Sequence, residues 1–324
     1  MNTPLEQQIA RATGATRVEL GERVQSLWGG YGEIRRATLS GSGALIANVI
    51  AKHVVPPSAA RLGAAEARSH RRKLRSYQVE RAFYRSYAAQ CDPECRVPAA
   101  VAESNPGAPT LLVIEDLDAV GFGARRSRVS TGELLSCLRW LAEFHATFLG
   151  ERPEALWKVG TYWHLATRPD ELRALTDGDL RRAAPLLDER LNRARFRTFV
   201  HGDAKLQNFC FEPFRGGDRV AAVDFQYVGG GVGVKDVAYF LTSCVSAPEL
   251  ERDAERHLDH YFHELRAALS RRGLSVDTAA LEAEWRDLYP VACADFFRFL
   301  CGWSGEDAHD PYLERVTRLV LREL

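Results

Sequence analysis

Nine consecutive residues limit this chain more than anything else in it: Val200-His-Gly-Asp-Ala-Lys-Leu-Gln-Asn208, with Val223-Asp224-Phe225-Gln226 a short way downstream. Asp203, Lys205, Asn208 and Asp224 put a proton acceptor, a cation and two oxygen donors into one short stretch. Phosphoryl transfer asks for this set: an acceptor for a hydroxyl proton, oxygen ligands for Mg²⁺, and positive charge against the moving phosphate. Asp203 and Lys205 suit the catalytic roles. Asn208 and Asp224 suit the metal, because magnesium takes carboxylate and amide oxygens rather than sulfur. Alone, His201-Gly-Asp203 reads equally well as a turn whose aspartate caps local N–H groups. Lys205, Asn208, Asp224 and Asp236 at these spacings turn the balance toward a site.

The flanking sequence places that block. Thr3-Pro4 opens a short helix ending near Gly14, a cap residue followed by proline in the first turn. Extended runs follow at Arg23–Leu27, Ile34–Leu39 and Leu45–Val55, separated by Gly29-Gly-Tyr-Gly32 and by Ser40-Gly-Ser-Gly43, which carries hairpin glycines. Residues 59–89 read as one or two helices, and Leu111–Ile114 as a short buried strand. Beyond the polar stretch 118–129 the pattern is mainly helical. Ser130-x-x-Glu133 and Ser246-x-x-Glu249 are capping boxes, and Pro290 is expected to interrupt a helix begun at Asp277. Asp310-Pro311 starts a last helix, and residues 198–228 form two β runs around a turn at Arg215–Asp218.

Lys+Arg and Asp+Glu balance at 43 each, which gives no field to draw nucleic acid or anionic lipid. No apolar run is long enough for a membrane helix, and the seven cysteines, an odd and scattered set, fit a reducing compartment; the expectation is cytoplasmic. Cys91 and Cys95 lack a second metal-ligating pair at matching spacing, and the His257, His260 and His263 row reads as a solvated helix face. His145 reads as a satisfied buried histidine, and Cys210 as a packing residue.

The His-Gly-Asp-(four residues)-Asn block and the later Asp-Phe pair resemble the aminoglycoside phosphotransferase superfamily, which includes choline/ethanolamine kinases and ecdysteroid kinase-like proteins, all relatives of protein kinases. Lys205 departs from the histidine usual in aminoglycoside kinases and looks like the Asp-x-Lys-x-x-Asn of protein kinases. Asp-Phe-Gln is similar to the ecdysteroid kinase-like branch. The resemblance covers about residues 20–310. It implies an α+β, bilobal protein-kinase-like fold with a small antiparallel-sheet N-lobe and a larger, mainly helical C-lobe. Residues 1–117 would form the nucleotide-binding lobe, with a hinge at 114–117, and residues 118–324 the catalytic and substrate-binding lobe.

The same resemblance implies ATP and Mg²⁺ as cofactors and a small-molecule hydroxyl as substrate, with no nucleic acid or membrane partner. Gly30, Tyr31 and Gly32 would cover the phosphates. Lys52 would steady them, paired with Glu80 or Glu66 across a gap long enough to need an inserted helix. The backbone of Glu115, Asp116 and Leu117 would hold adenine, and His201 and Asp236 would be structural. The short run from Asp224 to Asp236 leaves no room for a phosphorylated activation loop, so the enzyme would be constitutively competent. Substrate candidates are Tyr162, Trp163, Asp295 and Trp303, with Glu306, Asp307 and Asp310 nearby. Carboxylates beside aromatics could hold a cationic amine, line a wall for an apolar ring system, or pack the core. The alternative is a nucleotide-binding, pseudokinase-like module without turnover.

Overall fold

The computed structural model describes residues 3–41, 46–57, 63–104, 110–213, 219–305 and 310–324. Helix α1 (Pro4–Thr13) begins at the expected cap, where Thr3 and Glu6 satisfy each other's backbone donors, and ends at Gly14. Strands β1 (Arg17–Ser26), β2 (Gly32–Ser40), β3 (Asn48–Val54), β4 (Ala100–Glu103) and β5 (Thr110–Glu115) form one antiparallel sheet in the order β1-β2-β3-β5-β4. β1 starts at Arg17, earlier than the expected Arg23, because the whole of Arg17–Leu20 pairs with β2.

Strand periodicity decides which way β3 aims its side chains. Val49 and Ala51 join Leu5, Ile9 and Val113 on the α1 side of the sheet. The intervening positions face the other way, where Val54 packs with Tyr77 of helix α2 (Ala64–Ser86). Lys52 shares the parity of Val54, so the strand delivers it toward α2. That helix is continuous from Ala64 to Ser86, and its N-terminal part is the helix expected in the gap between Lys52 and Glu80.

The larger lobe holds α3 (Thr131–Thr147), α4 (Pro169–Ala174), α5 (Gly178–Asn192), α6 (Val234–Cys244), α7 (Ala247–Arg271), α8 (Thr278–Ser304) and α9 (Pro311–Glu323). Both expected capping boxes are present at the starts of α3 and α7. α8 carries through Pro290 without a break, contrary to expectation. Its central turns, from Val291 to Phe299, are buried in the main core, and that packing outweighs the proline's missing donor. Two small sheets sit among the helices. β6 (Thr198–Val200) pairs with β9 (Gly229–Gly231), and β7 (Phe209–Phe211) pairs with β8 (Val220–Ala222). The turn expected at Arg215–Asp218, the Ser42-Gly43 part of the first hairpin turn, and Glu306 and Asp307 lie outside the described residues. Among the described residues, no helix is long and apolar enough to cross a membrane.

Candidate active site

The loop after β6 is built on one buried carboxylate. Asp236, in the first turn of α6, accepts the backbone N–H of His201 at 2.5 Å through Oδ2 and that of Gly202 at 2.9 Å through Oδ1. His145 of α3 reaches the same Oδ2 at 3.1 Å. Gly202 has φ +80°, and a Cβ there would lie 2.2 Å from the Tyr227 carbonyl oxygen, so no other residue fits. His201 is fully buried; its Nδ1 accepts from the Asp203 N–H at 3.3 Å and its Nε2 donates to the Val223 carbonyl at 3.0 Å. Burial lowers its pKa, and the neutral Nε2–H tautomer satisfies both bonds.

That frame presents Asp203. Its Oδ2 accepts from Lys205 Nζ and from Asn208 Nδ2, each at 3.2 Å, and its Oδ1 from the Tyr239 hydroxyl at 3.2 Å. Burial pushes its pKa up to about 6; Lys205 pulls it down and Asp224 pushes it further up.

Asp224 lies on a turn joined to the loop by the Val223 N–H, which donates to the Asn208 carbonyl at 3.0 Å. Its φ of +71° is a left-handed conformation that aspartate tolerates better than most residues. Phe225 pins the turn: it is fully buried and stacks on Phe83 of α2 with centroids 4.0 Å apart, with His201 at 4.6 Å. Lys52 Nζ lies 2.6 Å from Glu80 and 3.5 Å from Asp224 Oδ1. Burial opposes the lysine's charge, but Glu80 and Asp224 outweigh it and raise its pKa. Gln226 Nε2 also donates to Asp224 Oδ1, at 2.6 Å. Burial would raise the Asp224 pKa, yet Lys52, the Gln226 amide and Lys205 together lower it.

The donor set fits a hard divalent cation. Asn208 turns its Nδ2 inward to the Asp203 carbonyl at 2.7 Å, which leaves Oδ1 as the outward atom. At Asp224 the described donors reach only Oδ1, which leaves Oδ2. Among the described residues no group of three or more His, Cys, Asp or Glu could hold a metal. Two protein oxygens completed by phosphate and water are how Mg²⁺ is ordinarily held.

Glu80, not Glu66, pairs with Lys52; Glu66 accepts from the Gly63 N–H and caps α2. The Tyr31 side chain is buried against α2, its hydroxyl 2.5 Å from His70 Nδ1 and its ring under Lys73 Nζ at 4.6 Å, so it anchors the glycine turn to that helix. Gly32 is demanded by strand pairing: a Cβ at its φ of +126° would lie 2.0 Å from the His53 carbonyl oxygen. A Cβ at Gly30 would meet nothing within 4 Å, which leaves that side of the turn open. The Glu115 carboxylate pairs with Arg96 and that of Asp116 with Arg36. Their N–H groups donate to the Ala99 and Asn48 carbonyls, so neither is available to a base. Leu117 is buried against Phe122.

Of the substrate candidates, Trp163 and Asp295 are core residues. Asp295 is 1% exposed, neutralised by Arg298 at 2.6 Å and Lys235 at 3.6 Å, and accepts from the Trp163 indole at 3.1 Å. Asp310 caps α9. Tyr162 is half-buried beside Tyr239 at 5.4 Å and Phe299 at 5.3 Å, and Trp303, 61% exposed, stacks on Phe299. Sequence reading assigned no role to Tyr239 or Phe225. Tyr239 falls three residues after Asp236, on the same helical face, and that spacing was the available signal.

These features define a protein-kinase-like fold around a loop-and-turn site. Residues 158–274, which carry the whole of that loop and turn, match the ecdysteroid kinase-like family. No curated protein sequence matches the chain. The fold is shared with the structure of the microcompartment-associated aminopropanol kinase, at TM-score 0.51 and 15% identity over 97% of this chain and 92% of that one. A choline/ethanolamine kinase family protein from Mesorhizobium loti aligns at TM-score 0.48 and 13% identity, over 99% and 94% of the two chains. A thermostable mutant of an aminoglycoside phosphotransferase, in a ternary complex with ADP and hygromycin B, aligns at 0.48 and 10%, over 99% and 98%.

Proposed function

We propose that this protein is an ATP- and Mg²⁺-dependent phosphotransferase that moves the γ-phosphoryl group to a hydroxyl of a small molecule. The observation that carries the proposal is two side-chain clusters, Asp203 with Lys205 and Asn208 and Asp224 with Lys52, each held by contacts of 3.5 Å or less and joined by the Val223 N–H to the Asn208 carbonyl at 3.0 Å. Asp203, with its pKa raised to about 6, is matched to accepting a hydroxyl proton near neutral pH. Lys205 sits beside it to offset charge on the transferred group, and Lys52 steadies the phosphates under the turn at Gly30. Asn208 Oδ1 and Asp224 Oδ2 would hold Mg²⁺, whose contribution when bound is to neutralise phosphate charge. ATP would lie between the lobes near residues 114–117, with the lobe boundary at 117/118. Residues 228–240 are buried throughout, which supports a site that is competent without a phosphorylated loop. All seven cysteines are unpaired, which suits the cytoplasm.

For the acceptor, the row Tyr239, Tyr162, Phe299 and Trp303 runs from Asp203 to the surface and favours a ring or apolar body over a compact cation. The test is ADP release with Mg²⁺-ATP over a panel of amino alcohols, aminoglycosides and steroid-like alcohols, with Asp203→Asn as blank. Mg²⁺-dependent turnover with any acceptor supports the reading. Tight nucleotide binding with no turnover across the panel would instead indicate a pseudokinase-like module.

A further inference from the structure

We infer that Gln226 is a positioning residue for the cation: its amide fixes the Asp224 carboxylate with Oδ2 outward, and Ser76 of α2 fixes the amide. The inference rests on the proposed reading of Asp224 as a metal ligand. It starts from the geometry of one side chain held at both ends. Gln226 Nε2 lies 2.6 Å from Asp224 Oδ1, and Gln226 Oε1 lies 3.0 Å from the hydroxyl of Ser76. The Gln226 carbonyl is tied separately to the Trp157 indole at 2.8 Å, so the backbone has its own anchor.

Charge fixes the direction of the amide. Asp224 Oδ1 already faces the Lys52 ammonium at 3.5 Å, and a carboxylate oxygen set against an ammonium accepts hydrogen bonds from its other neighbours too. The nitrogen end of Gln226 must therefore face it, and the oxygen end must face Ser76. Ser76 has one proton and two acceptors in reach, Gln226 Oε1 and the Lys73 carbonyl at 2.8 Å. The Lys73 carbonyl also lies within the α2 ladder, whereas Gln226 Oε1 has no other donor among the described residues, so the proton belongs to Gln226.

Ser76 and Glu80 are four residues apart on α2, on one face. Two arms therefore leave the same helix and end on the same oxygen: Glu80 through Lys52, and Ser76 through Gln226. Both occupy Oδ1, which orients the carboxylate so that only Oδ2 is presented. Residues that orient a ligating carboxylate in this way commonly change metal affinity by about 10–100-fold when removed. A glycine after the Asp-Phe pair could supply no such arm.

The test titrates Mn²⁺ into protein with excess non-hydrolysable ATP analogue and reads bound Mn²⁺ by electron paramagnetic resonance. Analogue affinity without metal and thermal midpoint are measured alongside. Gln226→Met keeps the side-chain length and removes the donor. It should raise the Mn²⁺ concentration for half-saturation ~10–100-fold and leave metal-free analogue affinity unchanged. Ser76→Ala should move it a smaller amount in the same direction, and the double variant should match Gln226→Met alone. Unchanged half-saturation in Gln226→Met, or a lowered thermal midpoint as its only effect, would overturn the inference; if that variant fails to fold, unchanged half-saturation in Ser76→Ala overturns it instead. Asp224→Asn separates the two levels. If it abolishes Mn²⁺ binding while Gln226→Met does nothing, only the role of Gln226 is lost. If Asp224→Asn also binds normally, the metal reading itself falls.

Discussion

Around Asp203, two uncharged donors and a lysine close on a side chain 9% exposed; around Asp224, a buried lysine and an amide close on a side chain 34% exposed. One aspartate is pushed toward keeping its proton and the other toward losing it. The difference does not lie in the residue but in what each neighbourhood offers its charged form: burial outweighs Lys205 at Asp203, whereas Lys52, Gln226 and Lys205 together outweigh burial at Asp224. Paired carboxylates driven apart in pKa divide labour, one as base and one as fixed anion.

The sharpest way to break this comparison is Asp203→Asn. Loss of a general base should lower kcat by ~10²–10⁴ while nucleotide affinity stays near that of the parent, measured by steady-state kinetics and calorimetry. Equal losses in both would mean that the loop had collapsed and that the two aspartates do not have separate roles.

Lys52→Ala probes the other neighbourhood. It leaves Glu80 buried without its partner, where Lys52 and Glu80 are 7% and 4% exposed. Breaking such a pair costs about 3–5 kcal/mol, which denaturant unfolding would read directly. A loss below about 1 kcal/mol, the scale of surface pairs, would show that Lys52 is not held as described.

The pH profile sharpens the contrast. With Asp203 at about 6, kcat/KM should fall about tenfold per unit as pH drops below that value. Stability moves with opposite signs at the two sites. Asp203 has a raised pKa, so its contribution is present on the acid side and lost as pH rises through about 6. Asp224 has a lowered pKa, so its contribution is present at neutral pH and lost in acid. Asp203→Asn should remove the first dependence and leave the second.

Tyr239→Phe is the smallest perturbation. It removes one donor to the Asp203 carboxylate, which disfavours the charged form, so the acid limb should move up by roughly half to one unit. An unmoved limb would mean that the hydroxyl does not reach the carboxylate in solution.

The parts of the site that sequence reading found are those the chain itself keeps close. Asp203, Lys205 and Asn208 lie on one loop, and Asp224 follows a short hairpin, so few conformational choices intervene. Glu80 and Glu66 were not separable because the choice depends on the docking of α2 against β3. Only the second half of that helix is buried, where Val79, Phe83 and Tyr84 flank Glu80. For Asp295 the sequence leaves a cationic amine, a ring wall and the core all open, and the structure pairs it with Arg298 three residues on. The docking of the Tyr31 side chain on α2 was not legible, because a glycine turn carries no sign of which helix lies behind it. Pro290 was read from local propensity, which core packing overrode. Strand β4 went unseen; it has four residues and pairs only at the sheet edge.

Asp236 bears on when the loop from His201 to Asn208 is ordered. Its two oxygens collect the His201 and Gly202 N–H groups and the His145 ring, all at zero or near-zero solvent exposure. The chain entropy of this loop is surrendered once, when the larger lobe folds, and an arriving substrate has none of it left to freeze out. Encounter with acceptor should therefore add little protection against hydrogen exchange at amides 201, 202, 203, 205, 206 and 208, which are already bonded in the resting protein.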